Sequence, residues 1–140
     1  MRRQARELAL QTLFQLEFSP EVPAKELLEL IGTQVSSESL NYAQELVQGV
    51  HQNLAAIDSM LKGTHSHWSL QRMGTVDRSL LRLATFEMNF ASAPLKPSIV
   101  INEAVELAKI FGTAESAAFV NGILDQIARE NPGTSQGRSN

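Results

Sequence analysis

Residues 76–90 read V-D-R-S-L-L-R-L-A-T-F-E-M-N-F, and every other segment of the chain takes its place from them. At helical spacing Val76, Leu80, Leu83 and Ala84 make one stripe, while Leu81, Phe86, Met88 and Phe90 put apolar groups on the remaining sides. A helix apolar nearly all round is buried among other helices. Asp77, Arg78, Arg82 and Glu87 interrupt the run, which is also too short to cross a bilayer. It is therefore predicted to be the central post of an all-helical domain. Charges on such a post need partners, because an unpaired buried charge is costly. Arg78, Arg82 and Glu87 are read as ion-pair members, with Glu87, Glu103 or another carboxylate as the expected partner of Arg82.

Outward from this post, 140 residues at 43% hydrophobic content suit one domain with its own core. Residues 1–130 are assigned to that domain, and residues 131–140, rich in Gly, Ser and Pro, to a disordered tail. The absence of cysteine excludes disulfides, thiol catalysis and cysteine-based zinc sites. The charged opening M-R-R-Q-A-R-E-L lacks the apolar core of a secretory signal, so a cytoplasmic protein is expected. A net charge of -3 argues against a strongly basic nucleic-acid binder. Its distribution is uneven, however. Eight acidic residues and the single base Lys25 fall between Glu7 and Leu61, whereas Arg2, Arg3 and Arg6 cluster before them.

The first helix is predicted over Arg3 to Phe18, with Ala5, Leu8, Ala9, Thr12, Leu13 and Leu16 facing the core. A second line, Leu10, Phe14 and Phe18, widens its apolar face enough for a second helix layer or a partner. Arg2 and Arg6 share a face at the helix N-terminus, where positive charge opposes the macrodipole. No intrachain benefit of that placement is visible, which hints at an external anion. Ala24 to Ile31 makes a short helix after Pro23. Ser36 then supplies a cap for one long helix carrying Leu40, Ala43, Leu46, Val47, Val50, Leu54, Ile57 and Leu61. Beyond the central post, Ile99 to Phe111 is predicted to turn Ile99, Ile101, Ala104, Val105, Ala108 and Phe111 inward. A final helix from Ala114, capped by Thr113, carries Ala117, Val120, Leu124 and Ile127, with Phe119 off the stripe.

Chemistry-bearing constellations are absent from the pattern. There is no Gly-rich phosphate loop, serine elbow or His-Glu-x-x-His helix, so no enzyme is predicted and no cofactor is expected. His65 and His67 lack a third ligand and are read as loop histidines rather than a metal site.

Three segments carry a family likeness: R-R-Q-A-R-E-L-A-L-Q-T-L-F from Arg2, D-R-S-L-L-R-L-A-T-F-E from Asp77, and I-N-E-A-V-E-L-A-K-I-F-G-T-A-E-S-A-A-F-V-N-G-I-L-D from Ile101. Together they resemble the bacterial NusB antitermination family over roughly residues 2 to 129. The N-terminal RNA-binding domain of certain ribosomal-RNA cytosine methyltransferases is similar too. The resemblance implies an all-α fold of about seven helices, arranged as two packed three-helix subbundles. It implies that ribosomal protein S10 (NusE) is a partner, and that the pair binds boxA RNA of nascent ribosomal-RNA transcripts and joins the elongating RNA polymerase. It maps RNA contacts onto Arg2, Arg3, Gln4 (where arginine is common), Arg6, Glu115 and Phe119, the last able to stack on an unpaired base. It maps the protein partner onto Phe14, Phe18 and Asp77. Asn102-Glu103 and Asn121-Gly122 are read as structural, with Gly122 permitting close helix approach. The alternatives are a helical interaction module that dimerises through Leu10, Phe14 and Phe18 without binding RNA, or a detached methyltransferase accessory domain.

Overall fold

The computed structural model describes residues 2–64 and 70–131. Those residues form seven α-helices and no strand: α1 Arg2–Phe18, α2 Ala24–Ile31, α3 Ser37–Gln52, α4 Leu54–Lys62, α5 Thr75–Thr85, α6 Pro97–Phe111 and α7 Ser116–Glu130. A single 3-10 turn at Leu70–Arg72 leads into α5, and a π-helical turn at Phe86–Phe90 follows it. His65, His67, Trp68 and the predicted tail from residue 132 lie outside the described residues. No helix among those described is long and apolar enough to cross a membrane.

Two three-helix groups result. Helices α1, α2 and α3 pack on one another, as do α5, α6 and α7, and the groups meet where α1 lies along α5. The apolar-all-round reading of residues 76–90 holds: every residue from Ser79 to Asn89 is buried except Arg82. Local chemistry sets the ends. The Ser36 hydroxyl accepts the Ser39 N–H at 3.1 Å to start α3. Pro97, with φ preset for helix and no N–H to satisfy, opens α6.

Several expectations are corrected by packing. The long helix predicted through residue 61 breaks at Asn53, whose side-chain amide donates to the Gly49 carbonyl at 2.8 Å. An Asn that bonds the preceding turn offers the backbone an alternative to continued helix, and α4 restarts at Leu54 and packs against α5 and α7. The inner face of α6 is Val100, Ala104, Leu107 and Ala108, leaving Ile99 exposed and Ile101, Val105 and Phe111 half-buried. Helix α7 begins at Ser116 rather than Ala114. The expected cap runs in reverse, since the Ser116 hydroxyl accepts the Thr113 N–H at 2.9 Å.

Gly122 is exposed, and a Cβ there would meet nothing within 4 Å, so close approach is not its role. That role falls to Gly49. The Phe86 ring, aimed by the π turn, lies 2.2 Å from where a Gly49 Cβ would stand. The turn itself is closed by the Ala91 N–H donating to the Phe86 carbonyl at 2.9 Å, five residues back. Gly49→Ala is expected to cost about 1–3 kcal/mol through overpacking. Thermal melting checks this; a wild-type midpoint would mean that the ring swings aside freely.

Candidate functional site

Helix α1 runs antiparallel to α5 and is pinned to it by ions at both ends. Near its start, Arg6 Nε donates to Glu87 Oε1 at 2.9 Å and to Oε2 at 3.2 Å. Arg6 is only 4% exposed and Glu87 is equally enclosed. The Tyr42 hydroxyl of α3 donates to the same carboxylate, and Arg6 Nη1 lies 3.7 Å from Glu103 of α6. Arg6 Nη2 is buried without a hydrogen-bond partner. Burial alone would lower the basicity of Arg6, but the Glu87 bond and the surrounding negative charge more than offset it, so the guanidinium is held more firmly protonated than usual. The Tyr42 hydroxyl is pushed well above its ordinary range, first by burial and then by the neighbouring Glu87 charge.

Closer to solvent, Arg3 grips Glu103 with two bonds, Nε at 2.8 Å and Nη2 at 3.2 Å. That hydrogen bond, with the Arg3 charge behind it, holds the Glu103 carboxyl below its usual value. A depressed carboxylate adds stability that is full above its unfolded pKa and is lost as pH falls through the folded one. Glu103→Gln is therefore expected to melt below wild type near neutrality. The gap should close as the solution is taken below the ordinary carboxylate range, at ~4 and under. Melts at a series of pH values test it, and a gap that persists in acid would overturn the assignment.

Arg2, the first described residue, donates Nη1 to the Tyr42 hydroxyl at 3.3 Å. Its guanidinium stands 4.9 Å from the Tyr42 ring centre, within cation–π range. Gln4 Oε1 accepts from the Ser39 hydroxyl at 3.2 Å. At the far end of α1, Glu17 accepts from Arg78 Nε at 3.0 Å and from Arg82 Nη1 at 3.3 Å. Arg82 also makes a two-bond fork to Asp58 of α4, at 2.9 and 3.0 Å. Arg82 is thus an ion-pair member as expected, but through Asp58 and Glu17 rather than Glu87 or Glu103.

The sequence-predicted residues fall into separate places. Arg2, Arg3 and Gln4 are exposed together at the start of α1. Arg6 departs from them by pointing inward, and the expectation of no intrachain benefit fails throughout, since Arg2 meets Tyr42, Arg3 meets Glu103 and Arg6 meets Glu87. The physical reason that Arg6 turns inward is Glu87, a buried carboxylate that needs a cation and finds it one helical turn beyond Arg2. Glu115 is exposed just ahead of α7, with the Thr113 hydroxyl donating to it at 3.4 Å. Phe119 is half-buried against the core, so only part of its ring faces outward. Helix α6 links the two groups, gripped by Arg3 through Glu103 and packed along α7. Phe14 is half-buried and Phe18 is 64% exposed, their rings 5.1 Å apart. Asp77, half-buried in the first turn of α5, shares that end of the molecule, because its neighbour Arg78 reaches Glu17.

Sequence reasoning missed Tyr42, Glu17 and Asp58. Tyr42 had a signal: it is the only tyrosine, on a helix whose buried positions are otherwise aliphatic or small, and a tyrosine half inside brings a hydroxyl that needs a partner. Among the described residues no cluster of three or more His, Cys, Asp or Glu is placed to hold a metal ion.

Comparison with known proteins matches this architecture. The NusB family model matches residues 3–129. Transcription antitermination protein NusB of Bdellovibrio bacteriovorus is 50% identical over 128 residues, spanning 91% of this chain and 95% of that protein. A solved structure of T. maritima NusB superposes with a TM-score of 0.85 at 38% identity, covering 93% of this chain and 92% of that one. A chain from the crystal structure of antitermination factors NusB and NusE in complex with dsRNA superposes with a TM-score of 0.79 at 27% identity, over 92% and 96%. Matched along nearly its whole length in both sequence and fold, the chain belongs to the NusB family.

Proposed function

We propose that this chain is a non-enzymatic transcription antitermination factor. With ribosomal protein S10 (NusE) it binds boxA RNA of nascent ribosomal-RNA transcripts, then joins the elongating RNA polymerase in the cytoplasm and suppresses premature termination. The observation that carries this reading is the near full-length match to antitermination proteins, in a fold whose neighbour is in complex with NusE and dsRNA. The exposed guanidinium pair at the start of α1 supplies the chemistry. Arg2 and Arg3 reach phosphate oxygens and set the register of the strand, while carrying little sequence information themselves. Arg6 is a positioning residue that fixes α1 on Glu87. The outward part of Phe119, beside Glu115, offers an unstacked base a surface. Phe14, Phe18 and Asp77, gathered at the opposite end of α1, receive the ribosomal protein.

Replacing Arg2 and Arg3 together by Ala is expected to weaken boxA RNA binding and flatten its salt dependence. Two phosphate contacts to a single strand contribute about -1.4 to the log–log salt slope, at roughly 0.7 each. Labelled RNA titrated at several salt concentrations, with the ribosomal protein present, gives the answer. Parallel plots at equal affinity for wild type and variant would remove these arginines from the RNA. The rival reading, a module that dimerises through Leu10, Phe14 and Phe18, keeps only Phe14 and Phe18 as surface, since Leu10 is enclosed, and it predicts no RNA binding at any salt.

A further inference from the structure

A groove of about 510 Å3 follows α3 from Tyr42 to Asn53, walled on its other side by the π turn and the segment after it. This volume lies within the roughly 300–1,000 Å3 of clefts that hold small ligands. Arg2 lines it alongside Tyr42, and among the described residues it is the only cation that does. Beyond Arg2 the wall changes character. Gln48 and Gln52, four residues apart on one face of α3, are exposed, and neither side-chain amide has a hydrogen-bond partner among the described residues. Phe90, half-buried, adds an apolar surface. Glu45 also lines the groove.

These features select a kind of ligand. A phosphate would meet the Glu45 carboxylate and, among the described residues, find no cation past Arg2. A base edge meets amides that both donate and accept, the pairing that Gln makes with adenine, and a carboxylate able to accept from an exocyclic amino group. An aromatic ring at the wall takes the face of such a base. We propose that this groove seats one unpaired RNA base carrying an amino group, its edge read by Gln48 and Gln52, while Arg2 holds the adjoining phosphate. The proposal rests on the RNA-binding reading and extends it, since a base in this groove carries the sequence information that Arg2 and Arg3 lack.

The test uses the full chain and end-labelled single-stranded boxA RNA, along with versions of that RNA made abasic at one position each. Gln48→Ala with Gln52→Ala changes two exposed helix positions to a strong helix former, so the fold is retained. The double variant is expected to lose roughly tenfold in affinity, in the range of one good base contact. Its salt slope should stay that of wild type, because no phosphate contact is removed. One abasic position should cost wild type the same factor and cost the variant nothing further. Equal affinities, a flattened slope, or additive losses at every position would each overturn the groove. So would a variant that binds RNA normally but loses the ribosomal protein, which would assign the groove to protein contact. Failure of the two readings is distinguishable. RNA binding lost on replacing Arg2 and Arg3 but intact in the glutamine variant defeats only the groove, whereas binding unaffected by either defeats both.

Discussion

Glu87→Ala is expected to lower the free energy of unfolding by about 3–5 kcal/mol, the usual cost of removing one member of a buried ion pair. The residue is 2% exposed, and its two oxygens serve Arg6 from α1 and Tyr42 from α3. Removing it leaves a guanidinium that cannot shed its proton with only the 3.7 Å approach to Glu103 and with one buried nitrogen already without a partner. The Tyr42 hydroxyl loses its acceptor at the same time. Replacing both ions with apolar groups of similar size, Arg6→Met with Glu87→Leu, removes the stranded charge along with its partner. That double variant should be markedly more stable than Glu87→Ala alone. Urea titrations of wild type and the two variants settle the matter, and a double variant no more stable than Glu87→Ala would show that the stranded charge is not what destabilises it.

The second large effect lies on the same post. Leu81 is fully enclosed, at 0% exposure, and truncating such a side chain to Ala typically costs about 2–5 kcal/mol through lost transfer energy and the cavity left behind. Its neighbour Arg82 provides the internal comparison. Arg82 bonds to both Asp58 and Glu17, but its side chain is 19% exposed and solvent screens part of the interaction. Arg82→Ala should therefore cost only about 1–3 kcal/mol, between the values for surface and for buried pairs. The order of the two midpoints is the measurement. If Arg82→Ala unfolded first, the ions rather than the leucine packing would be holding α5 in place.

The fold was readable wherever burial was wide. An apolar-all-round run could only be a central helix, and the regular stripes of α1 and α7 could only be faces turned toward it. The readable part stopped where one polar contact outweighed a pattern. The stripe Val50, Leu54, Ile57 continues through Asn53 without a fault, so nothing periodic marks the break; a single amide-to-carbonyl bond does. The π turn left no trace either, because one extra residue in a turn does not alter composition. Arg6 is the instructive case at the site. It stands beside Arg2 and Arg3 in sequence, yet it begins the line Arg6, Leu10, Phe14, Phe18, enclosed at its first two members, half-buried at Phe14 and open at Phe18. Read as the head of that apolar line, it would have been placed inside. Its partner Glu87, 81 residues away, is what no local pattern supplies.

Pinning α1 at both ends has a mechanical consequence. A helix held at one point can pivot; held by Arg6 on Glu87 and by Glu17 on Arg78 and Arg82, it cannot turn about either anchor without prising open the other. It behaves as a strut. From Arg2 to Phe18 the strut measures about 24 Å, at 1.5 Å per residue. Whatever seats on the arginine tip and whatever seats on the phenylalanine tip are held at a constant span by the covalent length of one helix. Any assembly using both tips inherits that gauge without further contacts to enforce it.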